Sequence, residues 1–170
     1  MTLKEELKEK KSAIVQKWID AALASYHKDA QGALRQTKAQ FTNPAGFNLA
    51  QGLDGLFDAL LEGVITDSVA TFLDMTVRLR AVQDFAPSEA LAFLIRIKQI
   101  VRDELGRERL DAPGVRTDLA AFDAAADDLM LYAFDLYMQC REKIYDIKAQ
   151  EARSQTYRLL QKAQSIADKE

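Results

Sequence analysis

A single cysteine, a single histidine and only three prolines stand among the 170 residues of this chain. With Cys140 alone, neither an intramolecular disulfide nor a thiolate metal cage can form, a pattern that fits a reducing compartment and points to the cytoplasm. With His27 alone, a di-iron site built on two Glu-x-x-His motifs is excluded, and haem ligation would have to rely on a residue at the end of the first helix. No cofactor is therefore expected. No run of about 20 apolar residues occurs, and charges interrupt the N-terminal TLKEELKEKKSAIVQKWID, which speaks against a signal peptide and against membrane insertion. No phosphate-cradling GxxxxGK loop is present, and Ser25, Ser68 and Ser88 have no histidine base at hand, so an enzyme is not expected. Lys plus Arg is 23 and Asp plus Glu is 26, a net charge of −3 that offers no field toward nucleic acid.

What is present is helical periodicity. Thr2 and Glu5 have the spacing of a capping box, and Leu3, Leu7, Ile14, Trp18 and Ala22 continue a helix to about Tyr26. A shorter helix is predicted over 29–41, and the segment 42–46, TNPAG, reads as a turn. A helix over 48–62 stops at Gly63, with Gly52 and Gly55 in its interior, where close approach of another chain segment is one reason for them and chance another. The next starts at Thr66 or Asp67 and carries Val69, Phe72, Leu73, Val77 and Val82 inward. Pro87 opens a helix ending at Gly106, with Leu91, Leu94, Ile95, Ile97 and Val101 inward. Beyond a turn-rich segment, 107–116, one helix runs from Thr117 almost to the C-terminus. Leu119, Phe122, Ala126, Leu129, Ala133, Leu136 and Cys140 form its core stripe, and Ala149, Ala152, Thr156, Leu159, Ala163 and Ile166 continue the alternation with weaker residues. Such a seam cannot hold a lone helix and suggests pairing with an identical helix or a partner.

Few residues carry chemistry. Cys140, on the apolar stripe, reads as a small buried hydrophobe. Asp123, Asp127 and Asp128 form an acidic cluster of the kind that is usually a solvated face. Arg78, Arg80, Gln83 and Asp84 gather beside the junction of two helices, with Arg80 and Asp84 one turn apart, and Arg96, Lys98 and Arg102 add positive potential. They are candidates for docking a partner or an anion, against the alternative of ordinary surface ion pairs. Phe57, Phe72, Phe93, Ile97 and Tyr137 are candidates for an apolar pocket that would take a fatty-acid-like ligand, or else plain core.

In KKSAIVQKWID at 10–20, FTNPAGFNLAQGLDGLFDALLEG at 41–63 and RLRAVQDFAPSEALAFLIRIKQIVRDEL at 78–105, the chain resembles the N-terminal domain of RsbRD-type co-antagonist proteins of the bacterial stressosome. The resemblance covers roughly residues 7–145. It implies an all-α, globin-like bundle of about six helices without haem, a sensory role in signal transduction, homodimerisation through helices and a signalling protein as partner. Residues 1–147 are then expected to be the sensor domain and 148–170 a helical extension that dimerises or transmits the signal. In this sequence Ala86 stands at the N-cap before Pro87 where a serine would cap well. The sequence ends at Glu170 without the phosphorylatable output domain of full-length co-antagonists, so a stand-alone sensor or an excised domain is expected. The competing expectation is a carrier of a small apolar ligand.

Overall fold

The computed structural model describes residues 2–26, 31–32 and 44–167. Among them the chain forms seven helices and no strand: α1 (Leu3–Glu9), α2 (Lys11–Leu23), α3 (Pro44–Glu62), α4 (Asp67–Val82), α5 (Pro87–Leu105), α6 (Arg107–Leu110) and α7 (Val115–Ala167). Of the helix expected over 29–41 only residues 31 and 32 are described, and they are helical; the rest of it, and His27, lie outside the described residues.

Local chemistry accounts for most of the boundaries. At the N-terminus the Glu5 amide donates to Thr2 Oγ1 at 3.2 Å and the Thr2 amide to Glu5 Oε2 at 2.8 Å, a complete capping box. Thr66 caps α4 through the Val69 amide. Gly63 and Gly106 end α3 and α5 with φ of +69° and +76°, where a Cβ would add strain. The single first helix expected from the sequence is instead two: at Lys10 (φ −87°, ψ 0°) the backbone leaves helical geometry, and Lys10 Nζ donates to the Glu104 carbonyl at 2.8 Å. That tertiary contact has no local signature. Of the turn expected at 42–46, residues 42–43 lie outside the described residues and 44–46 are helical as the first residues of α3, where proline is tolerated because its missing N–H is not needed.

The helices enclose one core, with α7 packed on α4 and α5 and with α2 packed on α5 and α3. Trp18 is fully buried and donates from Nε1 to the Phe93 carbonyl at 2.7 Å, tying α2 to α5. Gly52 allows α3 and α4 to meet: a Cβ there would lie 2.0 Å from the Phe72 ring. Two positions expected inside are outside, Val82 at 62% and Ile95 at 48% exposure, since the faces that their helices bury run through Val77 and Ala81 and through Leu94 and Ile97.

The 53-residue α7 is about 80 Å long at 1.5 Å per residue. Only its first half belongs to the core. Its core stripe runs from Val115 to Cys140, and from Glu142 to Ala167 Ile144 alone is even half-buried. The weak seam from Ala149 to Ile166 is not an extension of that stripe. Continued at the same spacing, the core stripe passes through Ile144 and Ile147 to Glu151, Ser154 and Arg158, whereas the seam leads back through Tyr145 to Met138 and Leu131 on the outward face.

Candidate functional site

The turn between α4 and α5 is held from both sides by arginines. On α4, Val69, Leu73, Val77 and Arg80 recur at intervals of four, four and three, so Arg80 falls on the stripe that the helix buries, and it is 1% exposed. Its Nη2 donates to the Ala22 carbonyl at 2.7 Å, and its Nη1 to Ser25 Oγ at 3.1 Å, the Ala90 carbonyl at 3.2 Å and the Glu89 carbonyl at 3.4 Å. The guanidinium carbon lies 4.7 Å from the centre of the Phe93 ring and 5.0 Å from that of Tyr26. Among the described residues no carboxylate pairs with Arg80, and its Nε has no hydrogen-bond partner. The carbonyls ending α2 carry the negative pole of that helix and the rings present their electron-rich faces, and together they stand in for an acidic partner. Burial draws the Arg80 pKa down from its ordinary value, but an arginine stays charged.

The outer clamp comes from α7. Asp84 takes a φ of +60°, an uncommon conformation for a residue with a side chain, and the Phe85 amide donates to the Arg80 carbonyl at 3.3 Å to close the helix end. Arg141 Nη1 donates to Asp84 Oδ1 at 2.6 Å and to the Ala81 carbonyl at 3.1 Å, bringing a positive charge to the C-terminus of α4. Tyr137 Oη donates to the Phe85 carbonyl at 2.6 Å. The Arg141 hydrogen bond holds the Asp84 carboxyl below its usual range, and the same contact raises the Arg141 pKa. One turn of backbone thus links the end of α2, the start of α5 and the last buried residues of α7.

The four candidate docking residues do not form one surface. Arg78 is exposed and pairs with Asp74 at 2.7 Å, Gln83 is exposed as the C-cap of α4, and Asp84 is exposed and pairs with Arg141, not with Arg80. The expectation of a surface Arg80 is corrected: its place in the apolar stripe puts it inside. The candidate basic patch and the acidic cluster largely neutralise each other, because Lys98 pairs with Asp127 and Arg102 with Asp123. Among the described residues no group of three His, Cys, Asp or Glu is placed to hold a metal ion. The five candidate pocket residues serve separate contacts. Phe57 meets Phe122 edge to face at 6.3 Å, Phe93 lies against Arg80, Tyr137 bonds to Phe85, Phe72 covers Gly52, and Ile97 is fully buried in the core. Sequence reasoning missed Arg141 altogether and weighed Ser25 only as a nucleophile. The periodicity of α4 would have identified Arg80 as inward-facing.

Among the described residues no helix is long and apolar enough to cross a membrane. The chain is 26% identical over 93 residues to an uncharacterized protein of Archaeoglobus fulgidus, a match covering 55% of this chain and 57% of that protein's length. No solved structure matches it. The family model for the RsbT co-antagonist protein rsbRD N-terminal domain matches residues 12–152, from the start of α2 into the exposed part of α7, and the chain belongs to that family of signalling domains.

Proposed function

We propose that the chain is a non-enzymatic, haem-free sensory module that works as a homodimer, in which the state of the helical body is set at the α4–α5 turn and carried outward by α7. The observation that supports this most is the double clamp: Arg80 ties the turn to α2 and α5, while Tyr137 and Arg141 tie it to the point where α7 leaves the core. A shift of α5 against α2 would move the turn carbonyls, and α7 is gripped by those carbonyls where its exposed half begins. Rigid helices passing small displacements to a distant surface are a familiar means of switching.

Amide hydrogen exchange on the wild type and Arg141→Ala tests the coupling. Asp84 is exposed and Arg141 half-buried, so the variant should lose only about 1 kcal/mol of stability. Exchange should nevertheless quicken both at residues 83–86 and along α7 beyond Glu142. A change confined to the turn would mean that α7 does not take its state from it.

A further inference from the structure

The outward face of α7 carries a strict seven-residue repeat that the fold leaves uncovered. Leu131, Met138, Tyr145, Ala152, Leu159 and Ile166 follow one another at intervals of seven, all are apolar, and all are exposed, from 37% at Met138 to 68% at Leu159. In the first half of the helix this line is diametrically opposite the buried stripe through Ala126, Leu129, Ala133 and Leu136. The repeat therefore has no role in the core. Paired apolar or small positions repeating every seven residues, as from Tyr145 to Ile166, are the signature of a left-handed coiled coil, and the apolar line continues it back to Leu131.

The companion positions, three residues before each of these, differ between the halves. Asp128, Asp135 and Glu142 occupy them in the first half, and Ala149, Thr156 and Ala163 in the second. The flanking charge changes as well: in the second half Arg153 and Lys162, both basic, lie beside this line, while Arg158 lies on the opposite side of the helix. One face thus holds an acidic half and a basic half that complement each other.

We infer that the outward face of α7 is occupied by α7 of a second copy of this chain running antiparallel. Asp128 then faces the partner's Leu159, Asp135 the partner's Ala152 and Glu142 the partner's Tyr145, with the reciprocal contacts made by the two-fold axis over an overlap of roughly 60 Å. Acidic side chains lie beside the basic half of the other helix, and the small residues Ala149 and Thr156 meet the larger Met138 and Leu131, while Ala163 meets Ala124. A parallel pair would instead stack Asp128, Asp135 and Glu142 on their own counterparts at core positions, and would set Lys148 against Arg153 across the flank, all like-charge contacts. Each exposed distal half is thereby seated on the other protomer's body. The inference rests on the dimer reading above and adds to it the direction and register.

Disulfide trapping in a Cys140→Ser background distinguishes the two, with circular dichroism and sedimentation confirming folding and mass. The double variant Asp128→Cys/Leu159→Cys should give a covalent dimer under mild oxidation, whereas Leu159→Cys alone should not. Reversing Asp128 and Asp135 to lysine should weaken self-association by about tenfold or more, and adding Arg153→Glu and Lys162→Glu should restore it. Efficient crosslinking of Leu159→Cys alone would establish a parallel pair and overturn the inference while leaving the dimer intact. A dimer that the double variant does not trap would likewise overturn the register, and a wild-type monomer at tens of micromolar would overturn the dimer reading itself.

Discussion

The two halves of α7 share one uninterrupted backbone and differ in almost everything else. From Val115 to Cys140 the helix buries Leu119, Phe122, Ala126, Leu129, Ala133, Leu136 and Tyr137 in a stripe sealed by α4 and α5, and Asp123 and Asp127 pair with Arg102 and Lys98 of α5. Beyond Arg141 the same helix keeps good helix formers but scatters its large apolar residues, Tyr145, Ile147, Tyr157, Leu159, Leu160 and Ile166, in solvent. Propensity and continuity can hold the second half helical, but a helix gains most of its stability from a covered face. The comparison teaches that helical form and tertiary support are separate properties. The turn at 83–86 stands at the boundary, where Arg80 and Arg141 grip it from the body and from the departing helix.

The largest effect is expected inside the body. Arg80→Ala removes four donated hydrogen bonds, leaves the Ala22 and Ala90 carbonyls buried without these partners and opens a gap beneath Phe93. Loss of a buried charge that no described carboxylate pairs offsets part of this, so the net cost should be about 3 kcal/mol, or roughly 6–12 °C in melting temperature. Thermal unfolding unchanged to within about 2 °C would mean that the guanidinium is not engaged as described.

A matched pair of truncations tests the contrast between the halves directly. Leu129 is 2% exposed and Leu159 68% exposed on the same helix. Leu129→Ala should destabilise the body by about 2–5 kcal/mol, whereas Leu159→Ala should cost the isolated protomer less than about 0.5 kcal/mol. Denaturant titrations at a protein concentration low enough to keep the chain monomeric provide the comparison. Equal costs would show that the distal half is folded into the cooperative unit of the body.

Much of this division was legible in the sequence, and the exceptions have physical reasons. The caps at Thr2, Thr66 and Pro87 and the stops at Gly63 and Gly106 are local chemistry, and a single sequence states them plainly. The stripe from Leu119 to Cys140 is equally local. The interruption of the first helix at Lys10 coincides with a side-chain bond to the Glu104 carbonyl, far away in sequence, and no window of residues could reveal that contact. Arg80 was misplaced because a charge is ordinarily a surface residue, although its spacing from Val69, Leu73 and Val77 pointed inward. The distal seam was recognised as weak and apolar, yet assigned to the wrong face. Counting back from Ala149 by heptads leads to Glu142 and Asp135, residues that look like plain solvated surface until the structure shows them opposite the core.

A smaller gain is expected at the start of α5. Ala86 is its N-cap and provides no side-chain acceptor, while Glu89 Oε2 already accepts from the Ala86 amide at 3.2 Å, which is half of a capping box. Ala86→Ser supplies the missing half and should stabilise the body by about 1 kcal/mol, seen as a higher denaturant midpoint with an unchanged slope. The substitution leaves the Tyr137 and Arg141 bonds between turn and α7 untouched, so hydrogen exchange in the distal half of α7 in the dissociated chain should stay as it was. Slower exchange there as well would blur the boundary drawn at Arg141.

The smallest effect is at the far edge of the body, where Glu62 at the end of α3 receives Lys4 at 2.6 Å and Lys8 at 2.7 Å from α1. The hydrogen bond from Lys4, followed by that from Lys8, lowers the Glu62 pKa from 4.5 to about 2. Because the folded pKa is depressed, the contribution is fully present above the unfolded pKa, near 4.5, and is lost as pH falls toward 2. Both partners are in solvent, which keeps it small and sensitive to salt. Glu62→Gln should therefore lower stability slightly at neutral pH, and its difference from the wild type should shrink between pH 4.5 and 2 and vanish below. A difference that persists unchanged at pH 2, or one that 1 M salt does not reduce, would mean that Glu62 acts through packing and not through its charge.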